Sequence, residues 1–139
     1  MAKLVSINIS PKKGMQKKPI TQCNLVKDIG LDGDAHAGSG NRQVSLLNIE
    51  DIRSANLNPG DFAENLTITG INFKNISVGT RIKIGDNAML EVSQLGKECH
   101  TRCAIYQKIS DCIMPKQGVF ARVIVGGIIK TGDVIEFKL

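Results

Sequence analysis

Tryptophan is absent from this 139-residue chain, tyrosine occurs once and phenylalanine four times. Single-stranded nucleic acid is gripped largely by stacking bases on aromatic rings, so five aromatics are a poor supply for that role. No apolar run approaches the roughly 20 residues that a membrane-spanning helix needs. The opening MAKLVSINISPKKG lacks the apolar centre of about 7–15 residues that marks a secretory leader. No G-x-S-x-G elbow, Walker loop or dinucleotide fingerprint is present. These absences argue for a soluble cytoplasmic domain with no membrane partner.

What is abundant is branched aliphatic. Ile and Val together number 27 against 10 Leu, a bias that favours strands over helices. A length of 139 residues suits one domain, with 42% hydrophobic residues enough to build its core. Alternation at Val5, Ile7 and Ile9 predicts a first strand ending at Ser10-Pro11, and Ile20–Ile29 reads as a second. Further strands are expected at Gln43–Leu47, Asn65–Ile68, Arg81–Ile84, Ala88–Ser93, Val119–Val125 and Val134–Phe137. Asn48 is placed to cap a short helix reaching about Ala55, with Glu50 and Asp51 in its first turn. A second, weaker helix is expected around Cys103–Ile109. Asn58-Pro-Gly-Asp61 and Gly126-Gly127 read as turns. Two segments look alike, VGTRIKI (78–84) and TGDVIEF (131–137), each a glycine turn leading into an alternating strand. The expected architecture is a mostly-β, single-domain barrel with one or two short helices.

The net charge of +5 is local. Residues 1–30 hold six lysines and one acid, and the other 109 residues balance. The excess sits chiefly in Lys12–Lys18, either a solvated loop or a rim attracting phosphate or polynucleotide.

The reactive residues concentrate at GKECHTRC (96–103), with Cys112 nine residues on. The thiolate is the reactive form of cysteine, and Lys97, His100 and Arg102 lie close enough in sequence to favour it. Cys99 and Cys103 are four apart, so one could resolve an oxidised or persulfidated partner. Zinc competes for the same set: Cys99, His100, Cys103 and Cys112 are ligands of the right types, although the spacing lacks paired C-x2-C knuckles. Cys23, in a strand, reads as a small hydrophobe. In the loop GLDGDAHAG (30–38), the calcium-loop pattern counted from Asp32 fails at Ala37 and Gln43. Its glycines serve either tight turns or close approach to an anion, with His36 and Arg42 as donors. GDFAENLT (60–67) sets a carboxylate and the amide of Asn65 beside a turn. Arg122, inside an apolar strand, either faces outward or binds an anion.

GLDGDAHAG (30–38), RQVSLL (42–47), GDFAENLTITGI (60–71), SVGTRIKIGDNAMLEVSQLG (77–96), TRCAI (101–105) and GVFARVIVGGIIKTGDVIE (118–136) together resemble the MOSC family, named for the C-terminal domain of molybdenum cofactor sulfurase. GLxGDxH followed by GxFxENL is the specific pair. Ala63 replaces a glycine common before Glu-Asn-Leu, and the chain is similar to a small standalone bacterial type. The resemblance implies a compact β-barrel and a cysteine that carries persulfide sulfur or ligates molybdenum of the pterin cofactor. Cys103 is the first choice for both roles and Cys99 the second. His36, Arg42, Asn65, Lys97, Arg102 and Arg122 would bind the cofactor. Such a protein would act as a sulfur transferase or as a component of a molybdenum-dependent N-hydroxyl reductase. Its partners would be a cysteine desulfurase, other molybdenum cofactor biosynthesis proteins, a molybdoenzyme or a reductase. The alternative is a zinc-stabilised β-barrel binding module, with nucleic acid met through Lys12–Lys18.

Overall fold

The computed structural model describes residues 2–11, 16–35, 37–38, 40, 43–54, 56–62, 64–70, 76–95 and 118–138. Eleven strands and one helix run in the order β1 (Ala2–Ile9), β2 (Lys18–Ile20), β3 (Gln22–Val26), β4 (Gly30–Leu31), β5 (Val44–Asn48), α1 (Ile49–Ser54), β6 (Leu66–Thr69), β7 (Arg81–Ile84), β8 (Ala88–Leu95), β9 (Val119–Val125), β10 (Gly127–Lys130) and β11 (Val134–Lys138). Strands are hydrogen-bonded in the order β11-β7-β8-β9-β5-β6-β1, and β11 also pairs with β1, which closes the ring into a seven-strand barrel. Closure removes the free edges that an open sheet would expose. Every pairing in the ring is antiparallel except β5 with β6. The crossover between those two carries α1. β2 extends the sheet beside β1, and β10, β3 and β4 form a separate three-stranded sheet.

The two look-alike segments contribute β7 and β11, which pair with each other: Ile84 stands opposite Ile135 and Ile82 opposite Phe137. Inward residues of the ring, among them Leu4, Val44, Leu46, Leu66, Ile68, Ile82, Leu90, Val123 and Ile135, form one apolar core. In β1 a bulge between Leu4 and Ser6 shifts the alternation. Leu4 and Ile7 therefore both enter the core, while Val5 and Ile9 are only half-buried.

On the opposite face of the strands lies a second layer with two halves. Leu47, Ile52, Phe62 and Phe120 pack together there, with α1 supplying Ile52. Ser6, Asn8, Ser45, Glu64, Asn65 and Thr67 form a polar half that is just as thoroughly buried.

Two expectations are corrected. Residues 20–29 are not one strand: the chain breaks at Thr21, runs as β3, and turns through Lys27–Ile29 with Asp28 at φ 60°. Gly126-Gly127 is not a hairpin turn. The chain passes from β9 through Gly126 into β10, which pairs with β3. A Cβ at position 126 would stand 2.7 Å from the Leu25 carbonyl oxygen, so glycine lets the two sheets approach. The possible helix at Cys103–Ile109 lies outside the described residues.

Candidate functional site

The glycine loop and the GDFAENL segment, some 30 residues apart in sequence, meet at Lys17. The Lys17 amide donates to the Gly60 carbonyl at 2.7 Å. Its ammonium reaches Asp34 Oδ1, also at 2.7 Å, with both side chains fully excluded from solvent. That same carboxylate oxygen accepts the Ser10 amide at 3.1 Å, while the Ala35 amide donates back to the Ser10 carbonyl at 2.8 Å. Gly60 sits at φ +90°, and a Cβ there would overlap the Lys17 carbonyl oxygen. Glycine is therefore required twice over at this turn.

Below that turn, the buried polar half-layer is threaded by hydrogen bonds. Glu64 Oε2 accepts from the Gly60 amide at 2.9 Å and from the Thr67 hydroxyl at 2.7 Å. Asn8 donates to Thr67 Oγ1 and to the Glu64 carbonyl, and its Oδ1 accepts from Ser6. The other carboxyl oxygen, Glu64 Oε1, is buried with no hydrogen-bond partner among the described residues. Burial pushes the Glu64 carboxyl above its ordinary range, outweighing the Gly60 and Thr67 hydrogen bonds that act the other way.

Asn65 is the second polar tie. Its Oδ1 accepts from the Ser45 amide and hydroxyl, at 3.0 and 3.2 Å, and its Nδ2 donates to the Asn8 carbonyl at 3.2 Å. One residue thus joins β1, β5 and the entry to β6. Gln43 plays the equivalent part for the glycine loop. Its Nε2 donates to the Asp28 carbonyl and its Oε1 accepts the Val123 amide, both at 3.1 Å. A Cβ on Gly30, at φ +130°, would come within 2.8 Å of the Gln43 carbonyl oxygen.

Much of the loop's backbone is already engaged. The amides of Asp32, Asp34, Ala35, Ala37 and Gly38 all donate to carbonyls within the chain. These five are spent on holding the loop's shape and its place against the strands. Gly33 and Gly38 have positive φ with nothing near a would-be Cβ, which is the tight-turn use of glycine.

Of the reactive and cofactor-binding candidates read from the sequence, Asn65 and Arg122 are described. His36, Arg42, Lys97, Cys99, His100, Arg102, Cys103 and Cys112, with most of the Lys12–Lys18 run, lie outside the described residues. Arg122 faces outward: its side chain is 47% exposed and stands 3.9 Å from Glu91, which Arg81 also meets at 3.7 Å. The three are cross-strand neighbours on β7, β8 and β9. Cys23 belongs to the apolar core, and its thiol is pushed up first by burial and then by the charge of Asp32, as suits an inert residue. Among the described residues no group of three or more His, Cys, Asp or Glu could hold a metal ion, and no helix is long and apolar enough to cross a membrane.

Sequence reasoning missed Lys17, Asn8 and Gln43 as site-building residues, and Asp34 and Glu64 as buried carboxyls. For Asn8 a signal existed, a polar residue inside an apolar strand. Lys17 looked like any other lysine of its run.

The chain's fold and motifs agree with comparisons to known proteins. A solved structure of YuaD from Bacillus subtilis superposes with a TM-score of 0.81 at 18% identity, covering 98% of this chain and 94% of that one. YiiM from Geobacillus stearothermophilus gives 0.77 at 20% identity, covering 100% and 76%. YiiM from Escherichia coli gives 0.70 at 18% identity, covering 100% and 70%. No curated protein matches the chain significantly. The MOSC domain model matches residues 33–136, a span that takes in GDAHAG, GDFAENL, the cysteine segment and the strands of the barrel from β5 onward. This chain therefore belongs to the MOSC domain family.

Proposed function

We propose that this MOSC protein binds the molybdenum cofactor or handles its sulfur, through a reactive cysteine for which Cys103 is the first candidate and Cys99 the second. The observation that carries the reading is the convergence of the two glycine motifs on one buried polar layer, in a chain whose family model also spans the cysteine segment. The donor types fit the group. A thiolate is a soft, strongly donating metal ligand and is also the form of cysteine that accepts sulfane sulfur. His36, Arg42, Lys97 and Arg102 supply cationic and hydrogen-bonding donors for the phosphate of a pterin ligand. Glu64 Oε1 adds a buried polar atom with bonding capacity left over. Arg122 is engaged with Glu91 on the outer face and is left out of this set.

When bound, the cofactor supplies a metal centre for sulfur or oxygen transfer. The chain's own part is to hold and orient it. Asn65 and Gln43 fix the strands and loop that would frame the site, and Cys103 would supply the sulfur ligand or carrier. In the sulfur-carrier version, a cysteine desulfurase loads sulfane sulfur onto Cys103 for delivery to the metal centre. In the reductase version, Cys103 remains a metal ligand and an external reductase supplies electrons.

Anaerobic purification followed by quantification of molybdenum, pterin and cyanide-labile sulfur separates these versions. Labile sulfur that disappears in Cys103→Ser supports the carrier. Molybdenum and pterin retained in equal amounts support the ligand. Stoichiometric zinc with none of these overturns the proposal.

A further inference from the structure

The Lys17–Asp34 pair is an expensive feature for a small barrel. Two charges with no solvent exposure incur a desolvation cost that their attraction recovers only when the geometry is good and the remaining hydrogen-bonding capacity is met. Here the geometry is good, at 2.7 Å, and Asp34 Oδ1 also takes the Ser10 amide. What the pair joins is more specific than the core. Lys17 belongs to the segment entering β2, Asp34 to the glycine loop, and Ser10 to the end of β1. Through its backbone, Lys17 also holds Gly60, whose amide in turn bonds Glu64. One residue thereby makes a side-chain contact to one signature motif and a main-chain contact to the other.

We infer that Lys17 is a positioning residue for the cofactor site, locking the GLDGDAHAG loop and the GDFAENL turn into one relation through Asp34 and Gly60. This rests on the reading under Proposed function. Its physical basis is that hydrophobic contacts are non-directional, whereas a charge-assisted hydrogen bond fixes distance and direction. With its side chain enclosed against Asp34, Lys17 acts through its neighbours and not by contact with a ligand. It acts by fixing where the loop bearing His36 stands relative to the turn bearing Glu64 and Asn65. The lysine that matters in the basic segment is on this reading the buried one.

The test compares wild type with Lys17→Met, and with the double variant Lys17→Met/Asp34→Asn, which removes both charges and keeps an acceptor for the Ser10 amide. Three readouts are needed: thermal midpoint, cofactor affinity by pterin fluorescence, and amide exchange. The single variant is expected to lose midpoint and affinity together. The double variant is expected to recover a midpoint within a few degrees of wild type while binding at least ten-fold more weakly. Recovery of stability without recovery of binding is the outcome a merely structural pair would not give. Equal binding by the double variant and wild type overturns the inference. Amide exchange in wild type alone supplies a check independent of folding of the variants. The Lys17, Ala35 and Gly38 amides should share one protection level, and independent opening of Lys17 from the loop overturns the inference. Absence of cofactor binding by wild type would instead overturn the functional reading, with the exchange result still deciding whether the two motifs move as one.

Discussion

At the residue scale, two carboxyls of this protein are buried for different reasons. Asp34 is balanced by a cation at contact distance, whereas Glu64 is held by a hydroxyl and an amide. Burial raises the Glu64 carboxyl, so the folded chain binds its proton more tightly than the unfolded chain does. The stabilising contribution of this group is then complete below the unfolded value near 4.5 and is lost as pH rises through the folded value. Glu64→Gln, which cannot ionise, should gain stability relative to wild type as pH rises from about 4 to about 8. Denaturant midpoints at the two pH values check this, and a constant offset would contradict it. Glycine positions divide in a similar way. Gly60→Ala meets both positive φ and the Lys17 carbonyl, whereas Gly33→Ala meets positive φ alone. Thermal melts should show the first costing more than the second, whose penalty is about 1–2 kcal/mol.

At the scale of elements, some of the chain could be read directly and some could not. The strands Arg81–Ile84 and Val119–Val125 have the bounds read from the sequence; the first alternates between core and surface, while the second buries both faces at Val119–Ala121 and is marked instead by its run of branched and aromatic residues. The helix after Asn48 was also legible, through the acids of its first turn. β10 was not, since Gly-Ile-Ile-Lys gives no alternation long enough to separate a strand from a turn, and its partner β3 lies about a hundred residues earlier. The bulge in β1 was hidden for a related reason: parity looked regular in the sequence and only pairing with β6 reveals the shift. For the site, the glycine motifs were visible as sequence, but their junction was not, because contacts among residues 17, 34 and 60 depend on barrel closure. Phe120 illustrates how an element's outer face matters. It packs with Leu47, Ile52 and Phe62, away from the barrel core. Phe120→Ala should cost about 3–5 kcal/mol. Its effect should appear first as faster amide exchange in α1, while β7 and β11 stay protected.

At the scale of the whole molecule, the barrel supplies a closed frame with an apolar interior and a second layer outside it, half apolar and half polar. Family membership and the polar half-layer converge on one region, where GLDGDAHAG and GDFAENL are tied through Lys17. The basic segment 1–30 therefore does more than add charge: at least one of its lysines is structural and deeply buried. The account as a whole stands on this region serving the molybdenum cofactor together with the cysteine segment. Anaerobic titration of wild type and Cys103→Ser with molybdenum cofactor, following pterin fluorescence and retained metal, tests it most directly. The account predicts saturable binding by wild type and a sharp loss of retained metal in Cys103→Ser. Failure of both proteins to bind pterin or metal would contradict it.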